Sequence, residues 1–317
     1  MWKAVGLLTL VAGVLTFSVG YLLADAGAIA PVSVPVSTIS PAVDTPAPPT
    51  PAPVVETTNP TPTAQLRSFD TLAAQVNAIV SESGAQVGMS LIELGGTSPS
   101  TWQEGGTVKL EAASTYKLVV LMQEAQAVSA GTRNPSGTIC FEDSDWEDGW
   151  FDDYATGTCY TRNELAQRAG QYSDNTAGHM LVRDIGGAPA LNTFAAEMGA
   201  QDSSFYDPNQ TTADDLARLI AAEATGRAGG APAQAWLYPV LVHSHFESGL
   251  PAGVPAGITV VHKTGEIDSS VDDAGLVSGG PHGDYVLAVM TNGLTGDAAW
   301  QLIAQLSAAV WSYEAGR

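Results

Sequence analysis

Positive charge is scarce in this sequence. Twelve Lys and Arg stand against 33 Asp and Glu in 317 residues, a formal net charge of −21. So acidic a chain repels phosphate backbones, which argues against nucleic acid as a partner. Cysteine is nearly absent, with Cys140 and Cys159 the only two. There is no phosphate-binding loop, no recognisable His-Asp-Ser triad and no internal repeat. His243 and His245 lie close together, but without a third ligand at helical spacing they read as surface or core histidines. No metal and no cofactor is expected.

What is present suffices for a sizeable core, since 45% of the residues are hydrophobic. Lys3 is the only charge before Asp25, and Ala4 to Ala24 is an uncharged stretch of 21 residues. That reaches the ~20 residues needed to span a bilayer and exceeds the roughly 7–15 of a signal-peptide core. Residues 1–26 therefore read as a transmembrane anchor or, with Ala24-Asp25-Ala26 as cleavage site, a signal peptide. Either places the rest outside the cytoplasm, membrane-anchored or secreted, with membrane contact through this segment alone. Residues 27–63 read as a linker, with ten prolines between positions 31 and 63 favouring extended geometry. In an oxidising compartment Cys140 and Cys159 are expected to pair, closing a loop worth roughly 3 kcal/mol.

The folded unit is expected over residues 64–317. Helical periodicity runs through 66–80, where Leu72, Val76 and Val80 share a side. Residues 86–94 alternate as a strand, and Val108 to Leu110 close a second, short one. Helices are expected over 161–184, 190–198, 211–225 and 234–243, and strands over 258–263, 274–278 and 284–291. A last helix covers 297–315 with Asp297 as its cap. Strands from both ends of the unit with helices between them imply an α/β (α+β) architecture: an antiparallel sheet covered by the two terminal helices, plus an all-α lobe.

One helix start is odd. In "STYKLVVLM" Ser114 and Lys117 share a face at the mouth of an apolar run. A serine hydroxyl is a poor nucleophile until a base takes its proton, and a lysine serves once burial or nearby cations lower its pKa. Alone, the pair reads better as a capping Ser and a snorkelling Lys. Two further stretches change that reading. "SDN" puts Ser173, Asp174 and Asn175 at a loop-to-helix junction, and "KTG" puts Lys263, Thr264 and Gly265 at the end of an apolar strand.

With these three motifs in this order the chain resembles the class A β-lactamases and their relatives among the penicillin-binding proteins. The resemblance covers about residues 64–317 and implies a five-stranded antiparallel sheet joined to an all-α lobe, with the site between them. It makes Ser114 the acylated nucleophile and Lys117 its partner. Ser173 passes a proton to the leaving nitrogen, with Lys263 beside it. Asn175 bonds a substrate amide and Thr264 the substrate carboxylate. The N–H groups of Ser114 and Glu266 form the oxyanion hole. Gly265 keeps a Cβ out of the way.

The sequence departs from that family in two places. The deacylating Glu of a Glu-x-x-Leu-Asn loop is missing: no Glu lies between Glu197 and Glu223. Asp202 and Asp207 are the substitutes on offer, and slow deacylation is expected. No Arg lies between Val242 and Met290, so His243, His245 and Thr264 remain near the substrate carboxylate. The stretch Cys140–Cys159 carries seven acidic residues with Trp146, Trp150, Phe151 and Tyr154. It reads as an aromatic lid or as a solvated acidic hairpin; its Asp spacing matches no known calcium loop. The expectation is a monomeric serine hydrolase acylated by β-lactams or D-Ala-D-Ala-like peptides. A D,D-peptidase, an esterase and a non-catalytic binding module stay open as alternatives.

Overall fold

The computed structural model describes residues 68–317. The anchor or signal segment and the linker expected before residue 64 lie outside the described residues. In chain order the elements are α1 (Phe69–Ser83), β1 (Gln86–Glu93), β2 (Thr101–Glu104), β3 (Leu110–Glu111), α2 (Tyr116–Ser129), β4 (Thr138–Cys140), β5 (Cys159–Thr161), α3 (Arg162–Gln171) and α4 (Asn175–Ile185). They continue with α5 (Gly187–Met198), β6 (Gln210–Thr211), α6 (Ala213–Ala224), α7 (Gly230–Leu237), β7 (Thr259–Ile267), β8 (Ser270–Ser278), β9 (Tyr285–Asn292) and α8 (Gly296–Glu314). Among the described residues no helix is long and apolar enough to cross a membrane.

Five strands form one antiparallel sheet in the order β2-β1-β9-β8-β7. The central strand β9 is apolar at almost every position because both of its faces are covered. Tyr285, Leu287 and Val289 meet α1 and α8, while Val286, Ala288 and Met290 meet the helical lobe. On the first side Leu72 and Val76 of α1 pack with Ile303, Leu306 and Val310 of α8. On the other side α2 lies at the centre, with Leu118 to Met122 all buried. A helix apolar all round is buried all round. Glu124, fully buried on α2, is neutralised by Arg133 and Arg162, which also bind Asp184 at the end of α4.

Several boundaries differ from the sequence reading. The edge strand of the sheet is Thr101–Glu104; Leu110 instead begins a two-residue ladder with Gln210–Thr211. The expected helix over 161–184 is broken in two at Tyr172–Asp174, because Ser173 takes φ 58° and Asp174 caps a new helix through Ala177 N–H. The last helix starts with Thr295 at the cap position, and Asp297 falls within its first turn, where its charge suits the helix dipole. Strand β7 does not end at Lys263 but runs on through Thr264, Gly265 and Glu266 to Ile267.

Candidate active site

Ser114 sits in a single 3₁₀ turn, Ala113–Thr115, that feeds into α2. Ala113 before it adopts φ 43°, a backbone conformation costly for a residue with a Cβ and frequent at reacting centres. Lys117 is fully buried in the first turn of α2. Its Nζ donates to Ser114 Oγ at 2.8 Å, to the Ser173 carbonyl at 2.7 Å and to Asn175 Oδ1 at 2.7 Å. Burial lowers its pKa to about 7, against the pull of Glu147 and Asp174. A sizeable fraction is therefore neutral at neutral pH, with a lone pair aimed at the serine.

Lys263 reaches the same place from the sheet. Its Nζ donates to Ser173 Oγ at 2.9 Å and to the Thr264 carbonyl at 2.8 Å. Burial first, and the Lys117 charge second, hold it well below the usual lysine value. For Lys117 burial dominates, so desolvation frees this base more than mutual repulsion does.

The break between α3 and α4 presents Ser173 and Asn175 side by side. Asn175 also donates from Nδ2 to the Asp148 carbonyl at 2.8 Å, latching the Cys140–Cys159 loop onto α4. Asp174, fully buried, accepts from Ala177 N–H, Trp150 N–H, Phe151 N–H and the Tyr154 hydroxyl. The sequence reading gave Asp174 no role of its own. Gly178 escaped it too: a Cβ there would sit 2.9 Å from Lys117 Cε and 2.9 Å from the Tyr116 hydroxyl.

The third motif lies on β7, an edge of the sheet. Gly265 is required, though for closeness to protein and not to substrate. A Cβ there would stand 2.9 Å from the Ala112 carbonyl and 3.1 Å from Ser114 N. Glu266 lines cavities on both sides of Ser114. One, about 510 Å³, is bordered by Ser173, Asn175, Thr264, Trp150 and Phe246. The other, about 640 Å³, is bordered by Glu147, His179, Tyr206, Asp207 and Asn209. The structure thus brings together Ser114, Lys117, Ser173, Asn175, Lys263, Thr264, Gly265 and Glu266.

The cysteine loop is neither a simple lid nor a solvated hairpin. Cys140 and Cys159 are bonded. Trp150 alone of the four aromatics borders a cavity at Ser114. Phe151 and Tyr154 turn under the Arg168 guanidinium, 4.3 Å and 5.1 Å from their ring centres, and Asp153 holds Arg168 through both oxygens. His245 packs against Trp150 and Tyr172. Of the two carboxylates offered by the shortened loop, Asp207 borders the Ser114 cavity, whereas Asp202 borders neither cavity and its N–H donates to Asp215. Asn209, which the sequence reading passed over, donates to the Ala113 carbonyl at 2.8 Å and so ties this loop to the nucleophile's turn.

Next to Lys263 in β7 lies a buried histidine, His262, that composition did not suggest. His262 contacts Asp273 at 2.8 Å and Glu247 at 3.3 Å. Burial disfavours its charged form, but these two carboxylates raise its pKa to about 9. Its place immediately before Lys263, in an apolar strand, was the available signal. Among the described residues no group of three or more His, Cys, Asp or Glu is placed to hold a metal ion.

The family model Beta-lactamase2, the beta-lactamase enzyme family, matches residues 71–313. A mutant of PBP-A, solved as an acyl-enzyme complex with penicillin G, is 27% identical. The match covers 78% of this chain and 97% of that one, at a TM-score of 0.72. A beta-lactamase from Sphaerobacter thermophilus DSM 20745 is 26% identical over 78% of this chain and 97% of its own, at a TM-score of 0.69. TLA-1 extended-spectrum beta-lactamase, at 18% identity, covers 78% of this chain and 100% of its own at a TM-score of 0.71, a likeness of fold alone.

Proposed function

The chain belongs to the beta-lactamase enzyme family, and from that premise we propose that it is a serine hydrolase acylated by β-lactams at Ser114 and slow to release the acyl group. The observation that carries this reading is the Lys117 Nζ, buried and 2.8 Å from Ser114 Oγ. Neutral Lys117 takes the Ser114 proton as Oγ attacks the lactam carbonyl. The oxyanion forms between the N–H groups of Ser114 and Glu266. Ser173, fixed by Lys263, delivers a proton to the departing nitrogen. Thr264 binds the substrate carboxylate and Asn175 the side-chain amide.

Slow release follows from the loop before β6, which supplies the exposed Asp207 and no Glu beside Ser114. That same feature favours peptides ending in D-Ala-D-Ala as the second reading. The apolar stretch Ala4–Ala24 supports placing the domain outside the cytoplasm. The test pairs a chromogenic cephalosporin with intact mass spectrometry. One acyl adduct is expected on Ser114, and none on Ser114→Ala; an adduct that survives this substitution assigns the nucleophile elsewhere.

A further inference from the structure

The larger cavity beside Ser114 is bordered by Glu111, Glu147, Asp207 and Glu266. Glu147 is set apart by how it is held. Its N–H donates to Thr176 Oγ1 at 3.0 Å, and the same hydroxyl donates back to the Glu147 carbonyl at 2.8 Å. The peptide is thus clipped to the first turn of α4. One oxygen of its carboxylate, Oε2, lies 3.0 Å from His179 Nε2, and His179 Nδ1 lies 3.2 Å from the Asp145 carbonyl. His179 is one turn along α4 from Asn175, which bonds Lys117. Asp207 is exposed, as Glu147 is, but it sits on a bend where, among the described residues, no ion pair or hydrogen bond orients its carboxylate, and Glu111 leans on the Ala113 peptide and Asn209.

We propose that Glu147, oriented by His179, is the general base that activates water to deacylate Ser114, entering from the cysteine loop and not from the shortened loop before β6. This rests on the acyl-enzyme reading above. Glu147 borders the same cavity as Ser114, and its charge raises the Lys117 pKa, as that of Asp174 does, against the larger effect of burial. In the step, a water O–H bond breaks and its proton goes to the free carboxylate oxygen. The water oxygen bonds to the ester carbonyl carbon. The proton on Glu147 passes through water to neutral Lys117. The intermediate collapses, the bond from that carbon to Ser114 Oγ breaks, and Lys117 hands the same proton to Oγ, which leaves Glu147 ionised and Lys117 neutral again. One water is consumed, and a carboxylic acid and the free serine are released. Half exposed and shared with His179, the carboxylate is only partly available, in keeping with slow turnover.

The experiment compares Glu147→Gln with the intact wild-type chain at about pH 8, above the Lys117 value of about 7, using a chromogenic cephalosporin. The burst should be unchanged. The slow phase should fall at least about tenfold, short of the ~10²–10⁴ of a fully available general base because His179 shares the carboxylate, and the Ser114 adduct should persist longer by the same factor. Glu147→Ala should regain part of the slow phase with added formate, a rescue that a merely structural side chain does not show. Asp152→Asn, on the same loop, should match wild type. A slow phase within about twofold of wild type in Glu147→Gln overturns the proposal, as does its loss in Asp207→Asn instead. A wild type with neither burst nor adduct removes the acyl-enzyme reading and this one with it.

Discussion

Lys117 sets the pH dependence of the first chemical step. Its ammonium form cannot accept the Ser114 proton, and the neutral form appears as pH rises through about 7. The acylation rate should therefore climb between about pH 6 and 8 and level off above, which stopped-flow burst rates would show; a flat profile assigns the base elsewhere. Glu223 on α6 makes a second prediction. Its carboxylate oxygens are buried without a hydrogen-bond partner, and burial raises its pKa to about 7. The folded value exceeds the unfolded one, so the native state holds the extra proton between about pH 4.5 and 7, and stability falls as pH rises through that window. Glu223→Gln should flatten that slope and raise stability above pH 7 by up to about 3 kcal/mol. Urea melts at low and high pH measure both effects.

Among the elements, the junction of α3 and α4 matters most, because one buried carboxylate organises two walls of the cleft. Asp174 caps α4 and holds the Trp150–Phe151 peptides and the Tyr154 hydroxyl. Removing it orphans buried donors, at a cost of about 2–4 kcal/mol. Asp174→Ala should lower the thermal midpoint and raise the substrate concentration at which acylation saturates, as Trp150 loses its seat. The limiting burst rate should fall less, since the backbone of Ser114 and Lys117 is set by the 3₁₀ turn and the first turn of α2. A variant with wild-type saturation would show that the loop keeps its place through the disulfide and Arg168 alone.

At the scale of the whole molecule, one sheet with both faces covered leaves its edge, β7, free to close on the helical lobe. The reacting groups meet at that seam, where two buried lysines lie in a chain of net charge −21. Steric access is generous on both sides of Ser114, but the loop between α5 and β6 delivers no Glu. Product release should therefore show a burst equal to the enzyme concentration and then a slow phase, with acyl-enzyme accumulating. Linear turnover without an adduct would contradict this, and pre-steady-state absorbance with quenched mass analysis decides it.

The sequence by itself determined the family resemblance and the candidate residues: a serine with a lysine one turn away, then Ser-Asp-Asn, then Lys-Thr-Gly; periodicity placed the first and third on their elements but ran one helix through the second, where the chain breaks. Local periodicity reports which face a residue takes and which turn follows it, and that is short-range information. Only the tertiary structure decided which distant groups touch. Lys117 meets the Ser173 carbonyl 56 positions away, and Lys263 meets Ser173 across 90. The same packing buries Lys117 enough to lower its pKa and requires glycine at 178 and 265. It also brings Asp207 to the nucleophile and leaves Asp202 aside, although both lie on one short loop. Glu147 reaches Ser114's cavity from a loop whose acidic residues all look alike in sequence. What singles it out is a clip onto α4, and that clip exists only once the helices have packed.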